Sequence, residues 1–318
     1  MARQRSKGIL VAVVASLLAM AAWGAGVARG GEGKGATLKA VVSIPPLESL
    51  TRGLLPAGGE LRVLIPPGRS EHGFEFTPGD LAAVGEADVV VLVGLGLEPR
   101  IEKARADRPN AKRQVVRFGE VLGLRQPEHV WHEDEHDDAH GALPEGWIDQ
   151  HVWLDPSLVE KMVPAIAQAI SRSLEGQGKL DDAARAALRR GEAEVLALVR
   201  QVDAEFREKL APAKGKAIVT NHNAFSRLAQ RYGLTIAATL RELESSEPTP
   251  SEVARVVKAV REHKASAIFV EPQYSAAVGR RLGEQAGVRV GRLDAMGKGD
   301  WAALMRSNLD ELTRALRD

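Results

Sequence analysis

Cysteine is absent from all 318 residues. No disulfide framework and no thiolate metal site can exist in such a chain, and a lipid anchor is excluded because it needs a cysteine at the cleavage site. An excess of charge is also missing: 43 basic against 42 acidic side chains leave a net +1, which gives nucleic acid no reason to be a partner. Long apolar runs are lacking too. The uncharged apolar run near the N-terminus, Ile9–Ala22, falls short of the ~20 residues that a membrane-spanning helix needs. It follows Arg3, Arg5 and Lys7 and precedes the small residues of Gly24–Ala28, which is the layout of a secretory signal peptide. Residues 1–28 are therefore expected to be removed, leaving an exported, periplasmic product without a lipid anchor.

The chain as a whole has the composition of a soluble globular protein, 44% hydrophobic and 27% charged. After the Gly-rich leader of residues 30–35, short β-branched runs alternate with longer amphipathic segments. The runs are Leu38–Ile44, Leu61–Ile65, Ala87–Val93 and Gln114–Phe118, then Lys216–Thr220, Leu234–Ala238, Ala265–Val270 and Val288–Leu293. Near-continuous apolar runs separated by helices predict parallel sheets covered on both faces. Split four and four, they predict an α/β protein of two lobes, each with a four-stranded parallel sheet. A strong helical stripe (Leu188, Val195, Val199, Val202, Phe206, Leu210) predicts one long helix over residues 180–210 that joins the lobes as a strut. Gly191, which costs about 1 kcal/mol in a helix interior, is its expected bend. The lobes then comprise residues 29–179, with an acidic histidine-rich loop at 129–148, and residues 211–318. Thr249-Pro250-Ser251-Glu252 reads as a capping box that starts another helix.

Of eight histidines, five fall between positions 129 and 151. His129, His132, His136 and His140 are interspersed with five acidic side chains, a composition that cannot form a core but can bind metal weakly. His151 lies in the more apolar Asp149-Gln-His-Val-Trp-Leu-Asp-Pro. His72 follows the second predicted strand, and His222 follows the fifth by two residues. Glu271 and Asp294 stand directly after two C-terminal strands. Loops beyond the carboxyl ends of strands are where open α/β sheets gather ligands, so this set could converge between the lobes. Imidazole and carboxylate together suit a borderline cation such as Zn2+. Spacings of 79 and 71 residues are no local metal motif, and on spacing alone ordinary loop histidines remain an open reading. His263, in Arg-Glu-His-Lys, reads as a solvated surface residue.

Several segments resemble one family. Glu71-His72-Gly-Phe-Glu-Phe-Thr-Pro-Gly-Asp, Asp149-Gln-His-Val-Trp-Leu-Asp-Pro and Asn221-His222-Asn-Ala-Phe with Arg231-Tyr232-Gly233-Leu234 are similar to the ligand motifs of metal-binding solute-binding proteins of zinc/manganese ABC transporters. Phe269-Val270-Glu271-Pro272-Gln273 and Leu293-Asp294 resemble that family's C-terminal strand ends. The resemblance implies a rigid interlobe helix and a site between the lobes with His72, His151 and His222 as metal ligands. Asp294, Glu71 or a water would fill the fourth position. His222, where manganese-preferring relatives carry an acidic residue, and the histidine-rich loop are typical of the zinc-specific, ZnuA-like branch. The implied function is high-affinity capture of Zn2+ by a monomer that delivers it to the membrane permease of an importer, with no enzymatic activity. The alternatives are a manganese-binding or adhesin-type relative, or a secreted zinc hydrolase with Glu71 or Glu271 as base. No His-Glu-x-x-His signature supports the last of these.

Overall fold

The structure, a computed structural model, describes residues 37–126, 146–240, 249–272 and 276–317. The expected signal segment and His129, His132, His136 and His140 lie outside these residues. Among the described residues, no helix is long and apolar enough to cross a membrane.

Each of the eight apolar runs yields a strand: β1 (Lys39–Val42), β2 (Glu60–Val63), β3 (Val89–Leu92), β4 (Gln114–Arg117), β5 (Ala217–Thr220), β6 (Thr235–Thr239), β7 (Ala267–Val270) and β8 (Arg289–Arg292). They form two four-stranded sheets, ordered β2-β1-β3-β4 and β6-β5-β7-β8. All neighbours are parallel, with Val41 beside Arg62 and Val90, and Ile268 beside Val219 and Val290. Both central strands next to the order switch, β3 and β7, are buried along their whole length. That is why their sequences lack the polar alternation of a half-exposed strand.

Among the described residues, ten α-helices flank and connect the sheets: α1 (Pro46–Arg52), α2 (Pro78–Glu86), α3 (Pro99–Asp107), α4 (Phe118–Val121), α5 (Pro156–Gly176), α6 (Asp182–Leu210), α7 (Ser226–Tyr232), α8 (Pro250–His263), α9 (Ala276–Ala286) and α10 (Trp301–Ala315). The predicted strut is α6, with 29 residues. Asp181 caps it by accepting the Ala184 N–H at 2.7 Å. Its buried stripe is Gly191, Val195, Val199, Val202, Phe206 and Leu210, and it lies against α5 and α10.

Gly191 is the point where the end of α1 rests on α6. A methyl group there would collide with the Gly53 carbonyl oxygen, and one on Gly53 would meet Val195 Cγ2 at 2.8 Å. Close approach of two backbones, which the sequence alone does not reveal, therefore requires this glycine. Gly191→Ala is expected to destabilise the metal-free protein by about 1–3 kcal/mol, because overpacking outweighs the ~1 kcal/mol gain in helix propensity. Urea unfolding would measure it, and an unchanged or raised midpoint would contradict this account of the contact.

Segment 149–155 is fastened from both sides. Gln150 Nε2 donates to Leu95 O at 2.7 Å in the first lobe. The indole of Trp153 donates to Ala295 O at 2.7 Å, while that of Trp301 donates to Trp153 O at 2.8 Å. Trp301 N–H also reaches Ser49 Oγ at 2.9 Å, so α10 returns across the molecule to α1. Both tryptophans are fully buried in one hydrophobic core that includes Val42 and Val91 of the first sheet and Ile218 and Phe269 of the second. Arg231 grips Asp203 of α6 with two 2.8 Å hydrogen bonds, and Arg306 grips Glu205 at 2.9 and 2.8 Å. A wide hinge opening would expose this shared core to water, a cost that opposes it.

Candidate metal centre

Glu71 and His72 lie in the loop from β2 to α2. At its start, Ser70 Oγ accepts the His72 N–H at 3.1 Å. At its end, Thr77 and Asp80 form a reciprocal capping box for α2, and Arg62 of β2 holds Asp80 at 2.7 Å. The loop is thereby pinned to the strand it leaves. His151 opens a short 3-10 turn, Val152–Leu154. His222 follows β5, with its carbonyl accepting from Thr220 Oγ1 at 3.0 Å.

These three segments bring one ligand atom each from Glu71, His72, His151 and His222 within 4.8 Å of one another. The imidazole centroids are 5.0 Å (His151–His222), 5.5 Å (His72–His151) and 5.8 Å (His72–His222) apart, all edge-on. His151 Nε2 is 3.1 Å from Glu71 Oε1 and 3.2 Å from His222 Nε2. Both values are close to the ~3.3 Å edge of a tetrahedron with metal–ligand bonds of about 2.0–2.1 Å. Glu71, His151 and His222 are buried, and His72 is half-buried, which makes it the side of the group nearest solvent.

The outward nitrogens are occupied. His151 Nδ1 is 2.8 Å from Asp149 Oδ1, which also accepts the His151 backbone N–H at 2.9 Å. His222 Nδ1 is hydrogen-bonded to Glu271 Oε1. The inward Nε2 atoms are thus left for the group itself, while Glu71 Oε2 is buried with no hydrogen-bond partner. An orphaned buried carboxylate oxygen is costly unless a cation or donor joins it. Electrostatics agree. Burial opposes ionisation of Glu71, but the His151 hydrogen bond and the three imidazoles outweigh it and hold its pKa down to about 2. Burial likewise opposes charge on His151, yet hydrogen bonds to Asp149 and Glu71 raise its pKa to about 10. Without metal, a proton on His151 faces an ionised Glu71 where a cation could sit.

Of the residues expected at the centre, Glu71, His72, His151 and His222 come together and Asp294 does not. Asp294 Oδ1 instead accepts the N–H groups of Met296 and Gly297 at 2.8 and 2.9 Å, closing the turn that leads to α10. Glu271 stands behind His222 rather than inside the group. Asp149, within a segment singled out from sequence, has a role that the sequence reading missed. The only signal was its spacing, two residues before His151, which suits a side chain folding back on the ring and the N–H.

The model of the zinc-uptake complex component A family, described as periplasmic, matches residues 40–315. The chain belongs to this ZnuA family. It is 26% identical over 319 residues to the high-affinity zinc uptake system protein ZnuA of Bacillus subtilis, covering 96% of this chain and 97% of that one. It is 25% identical over 297 residues to the zinc-binding protein AdcA of Streptococcus pyogenes, covering 88% of this chain but only 56% of AdcA. The chain therefore spans little more than half the length of that relative. Among solved structures, the periplasmic zinc-binding protein TroA of Treponema pallidum superposes with a TM-score of 0.71 at 21% identity, over 89% of this chain and 100% of that one. At that identity the likeness speaks for the fold, the same one reached here from the two sheets.

Proposed function

We propose that the protein captures Zn2+ with His72, His151, His222 and Glu71 and surrenders it to the membrane permease of an ABC importer. The observation that carries this reading is the inward aim of the His151 and His222 Nε2 atoms at a buried, ionised Glu71. Three neutral imidazoles and one carboxylate make a nitrogen-rich set that favours Zn2+ over Mn2+. It is a binding site and not a hydrolytic one, because both candidate bases are engaged: Glu71 within the ligand group, Glu271 at His222 Nδ1. With wide opening opposed by the shared core, loading and release require only local movement around the half-buried His72. Family membership and the names of the relatives support zinc as cargo and the periplasm as the compartment. Asp294 is left to its turn, and His129, His132, His136 and His140 would add only weaker binding.

Chelator-competition titration with zinc and with manganese tests the reading. One tight zinc ion per chain and manganese weaker by at least about 100-fold are expected from the ligand chemistry. Equal or preferred manganese binding would move the protein to a manganese-binding role. Cleavage of a substrate in proportion to zinc occupancy would move it to the hydrolases.

A further inference from the structure

We infer that Asp149 and Glu271 are positioning residues that fix His151 and His222 as Nδ1–H tautomers and so present both Nε2 lone pairs to the zinc. This rests on the proposed ligand roles of those histidines and adds what selects the ligating atom. The two carboxylates act from different parts of the fold. Asp149 lies two residues ahead of its histidine and accepts both its ring and its backbone N–H, at 2.8 and 2.9 Å. Its own carbonyl is clamped by the Arg227 guanidinium of α7, at 3.1 and 3.0 Å. Glu271 directly follows β7, 49 residues after His222, which follows the neighbouring strand β5, and is 2% exposed. Asn221 Nδ2 also donates to the same Glu271 oxygen at 3.4 Å.

A neutral imidazole has one N–H and one lone pair, so an acceptor at Nδ1 leaves only Nε2 for a metal. An anionic acceptor also raises the basicity of the ligating nitrogen. Without either carboxylate, the ring would sample both tautomers and rotate, and part of the population would turn an N–H towards the metal. Outer partners of this kind change metal affinity about 10- to 100-fold.

The experiment compares Asp149→Ala, Glu271→Ala, Asp149→Asn and Glu271→Gln with the parent. Zinc affinity is read by chelator competition, the ligating nitrogen and ring tautomers of the zinc-loaded protein by 15N NMR of labelled histidine, and folding by thermal unfolding without metal. The alanine variants should lose about 10- to 100-fold in zinc affinity and show a mixed or reversed tautomer at the affected ring. The amide variants keep an acceptor oxygen, so they should retain the Nδ1–H tautomer and lose less. If an alanine variant fails to fold, its amide counterpart carries the test through the tautomer signal. Folded alanine variants with parental tautomers, or with zinc affinity within about threefold of the parent, would overturn the inference. Should zinc affinity survive in His151→Ala as well, it is the ligand set that fails, not the positioning role alone.

Discussion

Replacing His151 with alanine should weaken the tightest zinc site by about 100- to 1,000-fold. Zinc held by a complete protein ligand set is worth about 10–16 kcal/mol, so one ligand of four accounts for roughly 3–4 kcal/mol. His151 is also the side chain through which the rest of the group is connected, since its Nε2 faces both Glu71 Oε1 and His222 Nε2. Its loss would have a second consequence in the metal-free protein. Glu71 is 2% exposed, and its first counterweight to burial is the His151 hydrogen bond. Alanine would leave that carboxylate buried with weaker partners, and it would take up a proton or draw in water. The metal-free variant should accordingly melt lower, whereas His72→Ala, at the half-buried side of the group, should affect binding with little effect on the metal-free melt. Chelator competition and metal-free melts of both variants separate these effects. A tight site untouched by His151→Ala would place the zinc elsewhere.

What could be read in the sequence, and what could not, divides by distance along the chain. The strands were legible because a parallel strand covered on both faces must be continuously apolar, as Val89–Leu92 is. The long helix was legible because its stripe repeats at helical spacing, and its start lies within two residues of the expected one. The capping box of α2 went unread because Asp80, not Glu or Gln, stands at its third position. Gly191 looked like a weakness in a helix; only the approach of Gly53 shows what it accommodates. The return of α10 to α1 through Trp301 and Ser49 joins residues 252 positions apart, beyond any periodicity.

The same division holds at the centre. Motif resemblance pointed to His72, His151 and His222 and left the fourth position to Asp294, Glu71 or a water; by position alone Glu271 and Asp294 looked alike, each an acid directly after a C-terminal strand. Their fates differ because of what is near them. Asp294 is followed by a tight turn whose N–H groups at Met296 and Gly297 capture its carboxylate. Glu271 reaches across to a ring nitrogen on the loop that follows the adjacent strand. Strand-end position selects candidates, and local hydrogen-bond competition decides among them.

Zinc affinity should rise about tenfold for each pH unit across the neutral range, with close to one proton released per zinc bound. Zinc needs the neutral imidazole, and in the metal-free protein His151 keeps its proton up to a pKa of about 10, well above the 6.5 of an ordinary histidine. At pH 7 the metal must therefore displace that proton, while Glu71, with its pKa at about 2, contributes none. The sign for stability is opposite. A histidine whose pKa is raised by folding stabilises the metal-free protein fully below about 6.5, and this contribution is lost as pH climbs through about 10. Raising the pH over that window thus weakens the metal-free fold and strengthens zinc binding together, because the Asp149 and Glu71 contacts that stabilise a proton are available to the cation instead. Calorimetry of zinc binding at one pH in buffers of different ionisation enthalpy would count the proton directly. A pH-independent affinity between about 7 and 8.5, with no proton released, would mean that His151 is already neutral and that its partners do not hold the charge.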